Sequence, residues 1–136
     1  MAMTSTPVPG ADPASAHFFH SLDEGRLDLL VCRQCGTAHL AISVCDVCGS
    51  IDFSSEPASG IGIIYSFTRV HIAHHPAFAD QLPFCGGIVE LAEGPRLFAP
   101  LLGEEPISVG APAIFEWQQI DGRGFAAFRV SAAAPQ

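Results

Sequence analysis

Four cysteines in two short turns carry the strongest chemistry in this sequence. Cys32-Arg33-Gln34-Cys35-Gly36 is answered by Cys45-Asp46-Val47-Cys48-Gly49, with nine residues between Cys35 and Cys45. Thiolates at that spacing can close a tetrahedral site, the usual geometry of structural zinc. The glycine after each pair lets the backbone curl and aim its N–H groups at sulfur. Those hydrogen bonds, and the cation itself, favour thiolate over thiol. A site closed by four sulfurs leaves no position for water or substrate, so it is expected to scaffold and not to catalyse. Iron could occupy the same sulfurs, as in rubredoxin, but the short loop favours zinc. Two disulfides are the competing reading. The lack of a secretory signal before the motif, and an odd fifth cysteine at Cys85, argue against it.

Other residues with chemical potential are less well arranged. His71, His74 and His75 invite a metal or acid–base reading, but no carboxylate stands at ligand spacing among them and Pro76 breaks any helix that would align them. His39 lies between the cysteine pairs. Because four sulfurs already satisfy the site, it is expected on a strand surface. Cys85 reads as a small buried hydrophobe rather than a nucleophile. No Ser–His–Asp or Cys–His set and no phosphate-cradling glycine motif is present.

The elements that must hold these residues follow from local pattern. Residues 1–13 are small and Pro-rich and are expected to be a disordered leader. Ala14 to Arg26 predicts a short helix, with Ser15 as cap, Phe18, Phe19 and Leu22 at helical spacing and Gly25 as the stop. Phe18-Phe19 must pack on the ribbon or on another protein. Leu29-Leu30-Val31 leads into the first turn, and Thr37 to Ile42 is expected to return as a strand. A ribbon this small depends on its metal for stability. Glu56-Pro57-Ala58-Ser59-Gly60 reads as a break, giving a helix-plus-ribbon unit over 14–55, a barrel over 56–131 and a tail over 132–136.

Beyond the break the period is two. Ile61, Ile63, Tyr65 and Phe67 share one face of a long strand, and Ile64, Ser66, Thr68 and Val70 share the other. Further strands are expected over Phe84–Leu91, with Gly86-Gly87 as a bulge or close approach, then Arg96–Leu102, Ala113–Ile120 and Phe125–Val130. Asp121-Gly122-Arg123-Gly124 is a hairpin signal. Five strands with short turns suit a five-stranded OB barrel, and the short link between the third and fourth leaves no room for the usual helix. The fold class is therefore mostly β: a short N-terminal helix, a rubredoxin-like zinc ribbon, then an OB-fold barrel.

Composition removes several functions. Fourteen acidic residues face six arginines and no lysine, for a formal charge of −8. The arginines are scattered, whereas a surface that tracks phosphates needs clustered cations. Nucleic acid and anionic membranes are thus poor partners. No apolar run is long enough to span a bilayer, and the cytoplasm is the expected compartment.

The ordered set of motifs resembles the zinc-ribbon plus OB-fold family known as domain of unknown function family thirty-five, often called acyl-CoA-associated. The likeness runs from Phe18 to Val130. It comprises the helix with its Gly25-Arg26-Leu27 exit and both C-x-x-C-G turns. It continues through Ser59-Gly60 into Ile63-Ile64-Tyr65-Ser66-Phe67-Thr68, and through Pro83-Phe84. Val89-Glu90-Leu91 with Glu93-Gly94-Pro95-Arg96-Leu97, and Val109-Gly110-Ala111-Pro112, complete it. The resemblance implies a non-catalytic accessory subunit of thiolase-fold enzymes that act on acyl-CoA thioesters, in lipid or steroid metabolism. Such enzymes include degradative thiolases, hydroxymethylglutaryl-CoA synthase assemblies and retro-aldolases that remove steroid side chains. Its implied roles are to bridge or stabilise the enzyme and to help form the CoA entrance. A CoA thioester is then expected through the partner. Arg69 and Arg96 are the weak candidates for a phosphate contact, set against simple pairing with carboxylates such as Glu90 and Glu93. Two other functions remain in play: a free-standing OB-fold module for a ligand or nucleic acid, and a metal-dependent hydrolase built on His71, His74 and His75.

Overall fold

The computed structural model describes residues 12–71, 84–103, 107–120 and 122–130. Residues 1–11 of the expected leader, the tail, and His74 and His75 of the histidine loop lie outside them. One helix, α1 (Ala16–Asp23), precedes eight strands: β1 (Asp28–Cys32), β2 (Ala38–His39), β3 (Phe53–Pro57), β4 (Ile61–Val70), β5 (Phe84–Leu91), β6 (Arg96–Leu102), β7 (Pro112–Ile120) and β8 (Arg123–Val130).

Ser15 stands at the N-cap of α1, but its hydroxyl donates to the Asp12 carboxylate at 2.6 Å instead of accepting from the helix. The Asp12 carbonyl takes the Ala16 N–H at 2.9 Å, so the aspartate closes this end. Gly25 stops the helix as expected, in the left-handed region at φ 84°.

β1 is the middle of a three-stranded sheet in the order β2-β1-β3. Its register sets Leu30 opposite His39 and Cys32 opposite Phe53. Two expectations are corrected here. The return strand shrinks to two residues, because the chain must turn toward the second cysteine pair. Phe53–Pro57 is a strand, so Glu56 and Pro57, expected to open the break, are its last two residues. Its polar Ser54, Ser55 and Glu56 carry no apolar alternation, and β1 supplies the hydrogen-bonding partner that defines it.

The remaining five strands close into a barrel in the order β4-β5-β6-β8-β7, returning to β4. β4, β5 and β6 form an antiparallel meander. The chain then crosses over, and β8 lies parallel to β6, with Leu101 opposite Phe128. Two seams are short: β6 meets β8 at Leu101 and Leu102, and β4 meets β7 from Ile61 to Ile63. Among the described residues, the link between β6 and β7 carries a turn and no helix. A β-carbon on Gly87 would meet the Ser66 carbonyl and Leu101, so this glycine allows the close strand approach expected of it.

The barrel interior holds Ile64, Val89, Leu91, Leu101, Phe128 and Val130. Cys85 is buried beside them, as its type suggested. Leu22, Leu27 and Leu29 join the same cluster, with Phe18 packed against it, so helix, ribbon and barrel share one apolar core. Alternation alone leaves open which face of β4 turns inward. Gly62 and Ile64 are buried, whereas Ile61, Ile63, Tyr65 and Phe67 are exposed. The richer apolar row is therefore outside. A bulge between Ile64 and Ser66 resets the alternation partway along the strand.

α1 is tied to the β7–β8 end by polar contacts as well. The Trp117 indole N–H donates to the Leu22 carbonyl at 2.6 Å. The Asp23 carboxylate accepts from the Gly124 N–H at 2.9 Å and from Arg123 at 3.0 Å. Those two donors, the Gly124 N–H first, hold the Asp23 carboxyl below its ordinary value.

Candidate metal centre

β1 delivers Cys32 at its last residue, and the three other sulfurs come from the turns that follow. The two turns repeat one pattern. Gly36 N–H donates to the Cys32 carbonyl and Gly49 N–H to the Cys45 carbonyl, each at 2.9 Å. Both glycines are left-handed, at φ 80° and 78°, which side chains adopt only with strain. Cys32 N–H reaches Thr37 carbonyl at 2.9 Å and Cys45 N–H reaches Ser50 carbonyl at 2.8 Å. Each turn thus offers one buried sulfur, Cys32 or Cys45, and one exposed sulfur, Cys35 or Cys48.

All four sulfurs lie within 4.8 Å of one another. Cys32 Sγ is 3.4 Å from Cys48 Sγ, and Cys35 Sγ is 3.6 Å from Cys45 Sγ. A tetrahedron with zinc–sulfur bonds of about 2.3 Å has edges of about 3.8 Å, so the cluster fits a metal such as zinc. With protons alone, the thiols share charge unequally. The Cys35 N–H, 3.5 Å away, is the largest influence that lowers Cys32 to about 6. Cys35 is also lowered, by the Thr37 hydroxyl first and then its N–H. The Ser50 N–H acts to lower Cys48, but burial and the neighbouring sulfurs outweigh it and raise the thiol to about 12. A divalent cation would replace the shared protons and favour the thiolate at all four.

His39 departs from expectation. It is not a surface histidine: its ring packs edge-on against Phe53 at 5.9 Å, and Nε2 lies 3.5 Å from Cys45 Sγ. The same nitrogen is 3.9 Å from Asp46 Oδ1. Position β2 opposite Leu30 turns it toward the sulfurs. The signal available beforehand was its spacing, six residues before Cys45 at the sheet edge, and only the strand register gave that spacing a direction.

A cleft of about 700 Å³ separates the ribbon from the β5–β6 turn, lined by Phe18, His39, Leu40, Val47, Pro95 and Arg96. Arg96 is engaged by Glu90 at 2.9 Å and lies 3.9 Å over the Tyr65 ring. Glu93 instead accepts the Ser59 N–H at 2.7 Å. Arg69 stands opposite Cys85, at the other end of β5 from Glu90 and Arg96, beside a second cleft that Arg129 also lines. The two arginines singled out in the sequence are not brought together.

Comparison with known proteins agrees with this architecture. A family model described as "ChsH2, C-terminal OB-fold domain" matches residues 55–124. A Thermomonospora curvata protein called "Probable enoyl-CoA hydratase alpha subunit" is 35% identical over 118 residues, 85% of this chain and 36% of that protein. A DUF35 domain-containing scaffold protein of Methanocaldococcus jannaschii is 30% identical over 97 residues, 67% of this chain and 68% of its own length. The benzoylsuccinyl-CoA thiolase subunit BbsA of Geobacter metallireducens is 33% identical over 73 residues, 54% and 48% of the two chains. This chain thus spans little more than a third of the first relative and about half of the thiolase subunit. A solved chain titled "Ltp2-ChsH2(DUF35) aldolase" superposes with a TM-score of 0.82 at 33% identity, over 90% of this chain and 98% of that one. The cysteine cluster, the closed five-stranded barrel and these matches together place the chain in the DUF35 family, with a ChsH2-type OB-fold barrel.

Proposed function

We propose that this chain is a non-catalytic accessory subunit that binds a thiolase-fold, acyl-CoA-dependent enzyme of thiolase or retro-aldolase type. One observation carries the reading: the end-to-end superposition on the DUF35 chain of an Ltp2-ChsH2 aldolase. The naming of a scaffold protein and a thiolase subunit among the relatives supports it. The chemistry is consistent, since a four-sulfur site at Cys32, Cys35, Cys45 and Cys48 has no vertex open to substrate. In this role zinc fixes the ribbon, and the ribbon and barrel stabilise the enzyme and help shape its CoA entrance.

Expressed with a tag in its native host and recovered at low salt, the chain should bring down a thiolase-fold protein. The pair should elute as one stoichiometric species with one zinc per chain. A chain that elutes alone, with no thiolase-fold protein recovered, defeats the reading.

A further inference from the structure

Outward positions of a barrel strand normally carry polar side chains, because they face water. Four adjacent strands here break that rule on one side. Ile61 pairs with Ile114 across β4 and β7, and Ile88 pairs with Phe98 across β5 and β6. Ile63 and Tyr65 lie between these pairs on β4. The Phe98 ring lies over Gly86, where a β-carbon would strike it. Exposure is 55% for Ile61, 44% for Ile63, 47% for Tyr65, 65% for Phe98 and 54% for Ile114. Side chains of this size present about 150–250 Å² when open, so these five leave on the order of 500 Å² of largely apolar surface. That lies near the top of what monomers leave in water, and it is more than half of one side of a standard interface of about 800 Å² per partner.

The charges on this face are paired with one another. Arg96 binds Glu90 and stacks on Tyr65, and Arg129 binds Glu116 at 2.7 Å beside Ile114. A face whose charges are already paired can be covered without leaving one unpaired. These apolar side chains project from the outer surface of the sheet and not from a strand edge, so a partner that covers them docks through side chains. A second copy is a poor occupant, because each carries a formal charge of −8 and Glu90 sits within the face.

We infer that the outer β7-β4-β5-β6 face, centred on Ile61, Ile63, Tyr65 and Phe98, is the surface on which the thiolase-fold subunit docks. This rests on the accessory-subunit reading and names the contact surface within it. Ile61→Lys and Phe98→Lys, made in the full chain, test opposite ends of the face against the co-purified enzyme subunit. Each should weaken binding by at least about tenfold, and together by more, with zinc content and thermal midpoint kept. Hydroxyl-radical footprinting of the wild-type complex gives a readout independent of any variant: Tyr65 and Phe98 should lose reactivity relative to the free chain. Wild-type binding by both variants, or undiminished reactivity of both rings, overturns the inference and leaves the accessory role standing. So does loss of binding in Ile51→Lys, on the ribbon, when both barrel variants still bind. A wild-type chain that dimerises alone through this face, with Phe98→Lys dispersing the dimer, also overturns it. A wild-type chain that takes up no thiolase-fold subunit defeats the reading beneath it.

Discussion

At the scale of single residues, the metal centre shows how little spacing says about a neighbour. The four cysteines announce themselves because a metal needs four donors within one bond length of a point, and two short turns supply them. His39 does not, because a second contact depends on which way a ring points. Its Nε2 is 3.5 Å from Cys45 Sγ, placed to donate to the thiolate and draw off part of its charge. Outer contacts of this kind are commonly worth about 10–100-fold in metal affinity. His39→Ala should release zinc to a chelator correspondingly faster, while His39→Gln, which keeps an N–H donor, should recover part of the loss. The cobalt-substituted protein gives a second check through its thiolate-to-metal absorption, which should shift in the alanine variant. Equal release rates for all three proteins would remove His39 from the site.

At the scale of elements, the contact between α1 and β8 decides how the helix sits, and a glycine controls it. Gly124 reads in the sequence as part of a turn. In the fold, a β-carbon there would coincide with the Leu22 carbonyl, the acceptor of the Trp117 N–H, and crowd the indole. Overpacking against backbone costs about 3 kcal/mol or more, because no flexible side chain can give way. Gly124→Ala should lower the denaturation midpoint accordingly and shift the fluorescence of the single tryptophan to the red as Trp117 is wetted. Gly122→Ala is a useful comparison. Its φ of 79° costs only the backbone strain of about 1–2 kcal/mol and leaves the tryptophan emission in place. Unchanged emission in Gly124→Ala would argue that the helix does not rest on this glycine. The barrel strands were legible as elements because period-two runs bounded by Gly and Pro have few other solutions. β3 was not, since its hydrogen-bonding partner lies more than twenty residues earlier.

At the scale of the whole molecule, two sources of order meet. The ribbon has a four-sulfur site that fits a metal and a little apolar area, and the barrel has a ladder of hydrogen bonds around a core. Leu27 and Leu29 bind them into one cluster. Stripping the metal with a chelator at neutral pH should raise amide exchange first across residues 32–53, with β5 and β6 still protected. The thermal midpoint should fall as well, because the ribbon's share of the core loosens. Exchange that rises uniformly along the chain would mean that the barrel has no stability of its own without the ribbon.

What the chain declared by itself was chemistry and count: four sulfurs for one cation, five strands for one barrel, too few cations for nucleic acid. These follow from short-range rules, in which ligand spacing, strand period and charge are properties of neighbours in sequence. Tertiary structure decided direction. It chose Gly62 and Ile64 for the inside of β4 and left Ile61, Ile63 and Tyr65 outside, turned His39 to sulfur, and parted Arg69 from Arg96. The physical reason is that a strand's two faces are equivalent until a register and a closing partner distinguish them, and both are contacts between distant parts of the chain.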